Sequence, residues 1–283
     1  MWRRRVSGQM CAGAGTACDR AVVTVRSYGM WDPAAYLTYG DLRGRPFHEL
    51  VARIPAERPR RVVDAGCGPG TLTATLARRW PSARLEAFDS SPEMVEAARA
   101  EGIAATVADV ADWTPGPDTD VLISNATLQW VTGHADLLRR WAGLLPSGAW
   151  LAMQVPGNFD APSHVLTRRL AASERWRTRL ADASLRGADA VGDPEDYADL
   201  LADAGCTVDA WETTYVQRLE GDDAVLEWIS GTALRPIRAA LADADWEAFR
   251  GELAELLAEA YPQRADGTTW FPFRRVFVVA RAP

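Results

Sequence analysis

The chain has no lysine: all 31 of its basic side chains are arginine, a bias that genomic codon usage accounts for. Cysteine is scarce as well, with four residues (Cys11, Cys18, Cys67, Cys206) and no C-x-x-C spacing. That excludes a disulfide framework and fits a reducing cytoplasm. The three histidines, His48, His134 and His164, are scattered too widely to suggest a zinc site. No run of 18 apolar residues exists, so no segment reads as a membrane span. A net charge of −7 argues against nucleic acid as substrate, because neutralising phosphates requires a basic surface. What remains is 283 residues of ordinary globular composition, 48% hydrophobic and 24% charged, enough for one large domain with a sizeable insertion.

Residues 62–70 carry the most information: Val-Val-Asp-Ala-Gly-Cys-Gly-Pro-Gly. An apolar run ends in Asp64, passes through Gly66, Gly68 and Gly70 in G-x-G-x-G spacing, and opens an amphipathic stretch from Thr71 to Trp80. That is a strand, a tight turn and a helix start. Glycine in such a turn permits positive φ and lets a ligand lie against bare backbone. Cys67 reads as the small side chain the turn needs, not as a reactive thiol. Asp89 closes the next apolar run nineteen positions after Gly70, where nucleotide-binding α/β folds place a carboxylate on ribose hydroxyls. A dinucleotide site would have G-x-G-x-x-G, whereas here Thr71 follows Gly70 and Asp64 would repel a pyrophosphate. Asp64 suits a cationic ligand, and the segment resembles the first motif of class I methyltransferases, which bind S-adenosylmethionine.

Residues 1–29 differ from the rest of the chain, with five arginines, one acid and no helical or strand period. We read them as a non-native or disordered N-terminal extension, the product of an over-long reading frame, and expect the native chain to start at Met30. From there the patterning predicts a helix over 46–53, then strands over 61–64, 85–89, 104–108, 120–124 and 149–155. Helices are expected between them at 71–80, 92–101 and 135–145. Alternation of this kind implies a doubly wound α/β fold with a mostly parallel sheet, seven-stranded once the β-rich runs 207–219 and 268–280 are added. Residues 156–204 read as mostly helical with breaks at Pro162 and Pro194, and 222–261 as helical. We expect 156–192 and 221–266 to be insertions forming a helical cap over the strand ends, where ligands of such sheets bind. Gly66, Asp89, Asp109 and Asn125 each follow one of the first four strands.

From Met30 onward the sequence is similar to the bacterial trans-aconitate 2-methyltransferase family. The likeness rests on Trp31-Asp32-Pro33, Arg43-x-Arg45-Pro46, the glycine motif, Asp89-Ser90-Ser91-Pro92 and Asn125-Ala126-Thr127-Leu128-Gln129-Trp130. It continues through Pro162-Ser163-His164, Trp211-Glu212-Thr213-Thr214-Tyr215, Thr232-Ala233-Leu234-Arg235-Pro236 and Phe271-Pro272-Phe273-Arg274-Arg275. The resemblance implies methyl transfer from S-adenosylmethionine to a carboxylate of trans-aconitate, giving a monomethyl ester and S-adenosylhomocysteine. It implies that Asp64, Gly66 and Gly68 hold the methionine end and Asp89 the ribose. Asp109 and Val110 would border the adenine, and Asn125, Gln129 and Trp130 would close the site near the sulfonium. Gly70 and Ser90 complete the cofactor set.

A carboxylate with a pKa near ~4 is already ionised at neutral pH. It needs no general base, so the lack of a Ser-His-Asp set or a metal cluster is expected, and orientation becomes the protein's main contribution. A tricarboxylate does need cations, and arginine binds carboxylate bidentately. The candidates are Arg235 and the Arg274–Arg275 pair, with Arg43 or Arg45 as helpers and Tyr36 and His164 as hydrogen-bonding groups. Neighbours on a strand point to opposite faces, so only one of Arg274 and Arg275 can face inward. Two other readings stay open: a methyltransferase for another small carboxylic acid, or a protein that holds the cofactor without catalysis. Fewer than two buried arginines in the cap would favour the first. Damage at Asp64, Asp89 or the glycines would mark the second, and all are intact.

Overall fold

The computed structural model describes residues 40–283. The expectations for residues 1–29, for Tyr36 and for the side chain of Arg43 lie outside the described residues.

A seven-stranded sheet of order β3-β2-β1-β4-β5-β7-β6 forms the centre. Its strands are β1 (Arg61–Ala65), β2 (Arg84–Asp89), β3 (Ala105–Val107), β4 (Thr119–Asn125), β5 (Trp150–Pro156), β6 (Thr207–Glu220) and β7 (Thr268–Arg281). The first five run parallel, and β7 is antiparallel to both β5 and β6. Parallel strands require crossover helices, which cover both faces and make the strands nearly continuously apolar.

One face is covered by α1 (Gly40–Ala52), α2 (Thr73–Arg79) and α3 (Pro92–Ala100). There Phe47, Leu50 and Ile54 of α1 and its end and Leu76 of α2 pack on Val62, Ile123, Ala152 and Phe277, while Val95 and Ala98 of α3 pack on Ala87 and Ala105. The other face takes α4 (His134–Leu144) and α6 (Pro194–Asp203), whose Leu138, Trp141 and Leu201 meet Val63, Leu122, Met153 and Val278. Each fully buried aliphatic or aromatic side chain contributes about 1.5–3 kcal/mol.

The last two strands are unusually long, and this decides the shape of the site. β7 pairs with β5 only over 275–281 but with β6 over 268–281. The β6–β7 ribbon thus runs on past the carboxyl ends of the parallel strands by seven residues, about 20 Å at the usual strand rise. Pro272 lies in this extension, where β7 has a neighbour on one side only; a proline is tolerated at such an edge. On the ribbon rests a second core, in which Leu219, Phe271 and Phe273 meet Trp176, Trp228, Ile237, Phe249 and Leu253. Its helices are α5 (Pro162–Ala171), α7 (Ala224–Ser230), α8 (Arg235–Ala240) and α9 (Asp243–Ala260).

Two local expectations need correction. The first helix begins at Gly40, so Pro46 lies inside it rather than at its start. Pro46 is buried, and burial of its ring offsets the hydrogen bond its missing N–H forfeits. The stretch 172–193 is mostly turns and a short 3-10 segment at Ala188–Ala190. Its two glycines, Gly187 and Gly192, and the polar residues around them resist a regular helix.

Candidate active site

The crevice opens where the strand order reverses, between the carboxyl ends of β1 and β4. Three glycines shape it for three different reasons. A side chain at Gly66 (φ +83°) would collide with Thr127, whose side chain lies 2.2 Å from the position of an added Cβ. The absence of one lets the β1 turn and the β4 loop meet, and Thr127 Oγ1 donates to the Gly66 carbonyl at 3.2 Å. A Cβ at Gly70 (φ +80°) would stand 2.8 Å from Ala98 Cα, so this glycine seats α3. Only at Gly68 (φ +55°) does the Cβ position face open space. Of the three, Gly68 is therefore the glycine that leaves room for a ligand.

Two carboxylates flank the turn. Asp64, 3% exposed, accepts a hydrogen bond from Thr73 Oγ1 at 2.7 Å. Burial pushes its pKa up to about 6; the Thr73 bond opposes this and the nearby Asp89 charge adds to it. A buried, poorly compensated anion of this kind is suited to receiving a cation. Asp89 accepts from the backbone N–H of Gly68 and of Ser91, both at 2.9 Å. A carboxylate offers about four acceptor sites, so enough remain for a vicinal diol. Ser90 is exposed, and its backbone N–H also faces Asp89. Asp109 uses its side chain on the Ala111 N–H at 2.9 Å, and Val110 is buried in the main core.

The β4 loop is strained where it meets the crevice. Ala126 has φ +54°, the one non-glycine residue in the left-handed region among those described. It is held by its own N–H to the Gln154 carbonyl at 2.8 Å and by Gln129 Nε2 to its carbonyl at 2.7 Å. Gln129 thus supports the turn with one end of its amide. Its Oε1, Asn125 Oδ1 and both polar atoms of Gln154 and Asn158 have no hydrogen-bond partner among the described residues. Gln154 is 0% and Asn158 2% exposed. Leaving such groups unsatisfied costs about 1–3 kcal/mol each, so each of them calls for a partner.

The cations sit around the crevice. Arg275, 6% exposed, stacks over Phe273 at 4.4 Å, and Arg45 of α1 stacks over Tyr215 at 4.7 Å. Both guanidinium charges act on Tyr215. Glu49 anchors α1 beside them by accepting from Trp211 Nε1, Thr213 Oγ1 and the Tyr215 hydroxyl. On the cap side, Arg186 lies over Trp130 with 3.4 Å to the ring centroid. His164, Thr167, Arg168 and Arg186 line a cleft there together with Ala233 and Pro236, which bracket half-buried Arg235. Burial first, then the Arg186 and Arg168 charges, push the His164 pKa down to about 4, so its imidazole is neutral at physiological pH. Arg274 points to the opposite face of β7 and is bound by Glu212 and Asp193, each at 2.6 Å. It fastens the ribbon to the start of α6 rather than facing the crevice.

A profile described as a methyltransferase domain matches residues 39–210. The trans-aconitate 2-methyltransferase of Rhodococcus jostii (strain RHA1) is 66% identical over 252 residues, covering 89% of this chain and 99% of that one. The chain belongs to the trans-aconitate 2-methyltransferase family. The family member from Mycobacterium tuberculosis (strain ATCC 25177 / H37Ra) is 56% identical over 251 residues, 89% of this chain and 96% of its own. Solved structures support the fold alone. Phosphoethanolamine N-methyltransferase 2 of Haemonchus contortus, in complex with S-adenosylhomocysteine, has a TM-score of 0.55 at 14% identity, covering 93% of this chain and 61% of its own. The cyclase SpnF gives 0.51 at 16% identity, covering 90% and 87%. That a cyclase shares the fold shows why function has to be argued from the site.

Thr73, Thr127, Gln154, Asn158 and Arg186 are site residues that the sequence alone did not single out. Gln154 alone had a legible signal: it is the one amide in the otherwise apolar run Trp-Leu-Ala-Met-Gln-Val. Arg186 lies in an irregular loop, and no periodicity could have aimed it at Trp130.

Among the described residues no group of three or more His, Cys, Asp or Glu could hold a metal ion, and no helix is long and apolar enough to cross a membrane.

Proposed function

We propose that the chain transfers a methyl group from S-adenosylmethionine to a carboxylate of trans-aconitate, as a small-molecule enzyme of the cytoplasm. The observation that carries this reading is the charge order along the strand ends. Asp64 and Asp89 stand at the glycine turn, the neutral amides Asn125 and Gln154 occupy the middle, and Arg275 and Arg45 lie beyond them. The cofactor is cationic at its amino-acid end and the acceptor is a trianion, so the two ligands match the two ends.

The residues present fit the cofactor. Gly68 leaves open space, Asp64 is a buried anion needing a cation, and Asp89 keeps acceptor capacity for the ribose. When bound, S-adenosylmethionine supplies a methyl group on a sulfonium, whose carbon–sulfur electron pair stays on sulfur as the carboxylate oxygen takes the methyl. Asp64 holds the ammonium, and Asn125 and Trp130 form the wall beside the reacting centre. No proton has to move, which suits a crevice whose histidine, His164, is neutral and held by burial. Arg275, Arg45 and Arg235 hold acceptor carboxylates, and Arg186 closes the site from the cap by covering Trp130. Alignment of the two reactants and exclusion of water supply most of the acceleration.

The test is release of S-adenosylhomocysteine with trans-aconitate, cis-aconitate, isocitrate and citrate, with product mass determined. Strongest turnover on trans-aconitate, with a gain of one methyl group, is expected. Turnover on a different acid alone would replace the substrate.

A further inference from the structure

We infer that Gln154 orients the reacting carboxylate of the acceptor and does so because it is neutral. The inference rests on the proposed carboxyl methylation and adds a residue and a reason to it.

The placement follows from strand alternation. Leu151, Met153 and Val155 of β5 pack into the α4–α6 core, whereas Ala152 belongs to the α1 face. Gln154 therefore projects on the α1 side, at the carboxyl end of its strand. Its cross-strand neighbour on β4 is Asn125, and Phe277 on β7 is its neighbour on the other side. Arg275 lies two residues further along β7 on the same face, within diagonal reach of a long side chain. Asp64, two strands away on β1, shares this face with Val62. Asn125 and Gln154 are thus the polar side chains between the cofactor end and the cationic end, and of the two it is Gln154 that stands next to the cationic end. Gln154 is 0% exposed, and neither amide atom has a partner among the described residues.

The chemistry explains an amide at this point. As the oxygen–methyl bond forms, the carboxylate loses its negative charge. A guanidinium on that carboxylate would stabilise the starting anion more than the transition state, and interactions of that kind slow the chemical step. A neutral N–H donor lacks the ion–ion attraction of a guanidinium, so it loses less as the charge on the carboxylate is consumed. It can fix the orientation of the carboxylate while leaving the attacking oxygen nucleophilic. The non-reacting carboxylates keep their charge throughout, so arginines such as Arg275 can hold them at no cost to the rate.

Gln154→Met preserves volume and removes the amide. We expect kcat/KM for the acceptor to fall about 10- to 100-fold, the worth of a hydrogen bond to a charged group. Affinity for S-adenosylhomocysteine should stay within about twofold, and the thermal midpoint should be no lower than in the parent chain, because an unsatisfied buried amide is removed. Gln154→Asn, which keeps the amide but shortens it, should lose activity with the same unchanged cofactor affinity and serves if the Met variant folds poorly. Activity within about twofold of the parent overturns the inference, and so does a loss matched by an equal loss of S-adenosylhomocysteine affinity. The parent chain is assayed in parallel on a panel of small di- and tricarboxylates. If it methylates an acid other than trans-aconitate, the substrate falls and the role of Gln154 is judged on that acid. If it methylates no carboxylic acid, both fall.

Discussion

Replacing Asp64 with asparagine should make the ligand-free protein more stable and abolish cofactor binding. Asparagine keeps an oxygen to accept the Thr73 hydroxyl and removes the charge that burial disfavours. The rise of the Asp64 pKa from an ordinary 3.8 to about 6 corresponds to about 3 kcal/mol. The sign follows from proton linkage. Between pH 4 and 6 the folded state binds a proton at Asp64 that the unfolded chain has released, so stability from this group is present at low pH and lost as pH rises through about 6. Above that, the parent carries the full cost of an ionised buried carboxylate and the variant does not. At pH 7.5 the Asp64→Asn chain should melt higher by up to roughly 6–12 °C, given 2–4 °C per kcal/mol for a domain of this size. At pH 4 the two should coincide. The comparison has to be between the two chains, because His164 works in the opposite direction over much of the same interval. Its folded pKa of about 4 lies below its unfolded value of 6.5, so its contribution is present above pH 6.5 and lost as pH falls toward 4. Differential scanning fluorimetry across pH 4–8, with and without S-adenosylhomocysteine, makes the measurement. A variant no more stable than the parent at pH 7.5, or one that still gains stability from the ligand, would refute the reasoning.

The two arginines of β7 should separate cleanly. Arg275→Ala is expected to cut kcat/KM for trans-aconitate about 100-fold with S-adenosylhomocysteine binding retained. Arg274→Ala, which removes the half-exposed ties to Glu212 and Asp193 and a bond to the Gly157 carbonyl, should stay within about threefold; steady-state kinetics decides. The glycines should separate as well. Gly70→Ala forces a Cβ to 2.8 Å from Ala98 Cα at φ +80° and should lose roughly 1–3 kcal/mol of stability in chemical denaturation. Gly68→Ala meets no neighbour within 4 Å, so its larger effect should be on cofactor affinity by calorimetry. In the parent chain, affinity for S-adenosylmethionine should rise as pH increases through about 6, where Asp64 ionises, and titrations at pH 5 and 7.5 check this.

The alternating part of the fold could be read from the sequence because each parallel strand is a short apolar run closed by a polar or glycine residue. The strand order reverses between β1 and β4, and of the groups expected after the first four strands Gly66 directly follows β1, Asp89 closes β2, Asp109 lies two residues past β3 and Asn125 closes β4. Less was legible where tertiary contacts decide. Gly66 and Gly70 look like ligand glycines in a motif, yet their missing side chains admit Thr127 and Ala98 from distant segments. Alternation said that one of Arg274 and Arg275 faces inward but not which one; the register Pro156↔Arg275 and the partners Glu212 and Asp193 settle that. The cap was visible only as a break in the alternation, because its core is built on β6 and β7, the strands that outlast the sheet. Arg186 had no local signature at all.

The central claim is that the acidic end of the crevice takes the cofactor and the cationic end takes the acceptor. A crystal structure of the chain with S-adenosylhomocysteine and trans-aconitate tests it most directly. The amino group is expected at Asp64, the ribose hydroxyls at Asp89, one acceptor carboxylate on Gln154 facing the sulfur, and another on Arg275. An acceptor bound away from β5 and β7, or an amino group away from Asp64, would contradict the claim.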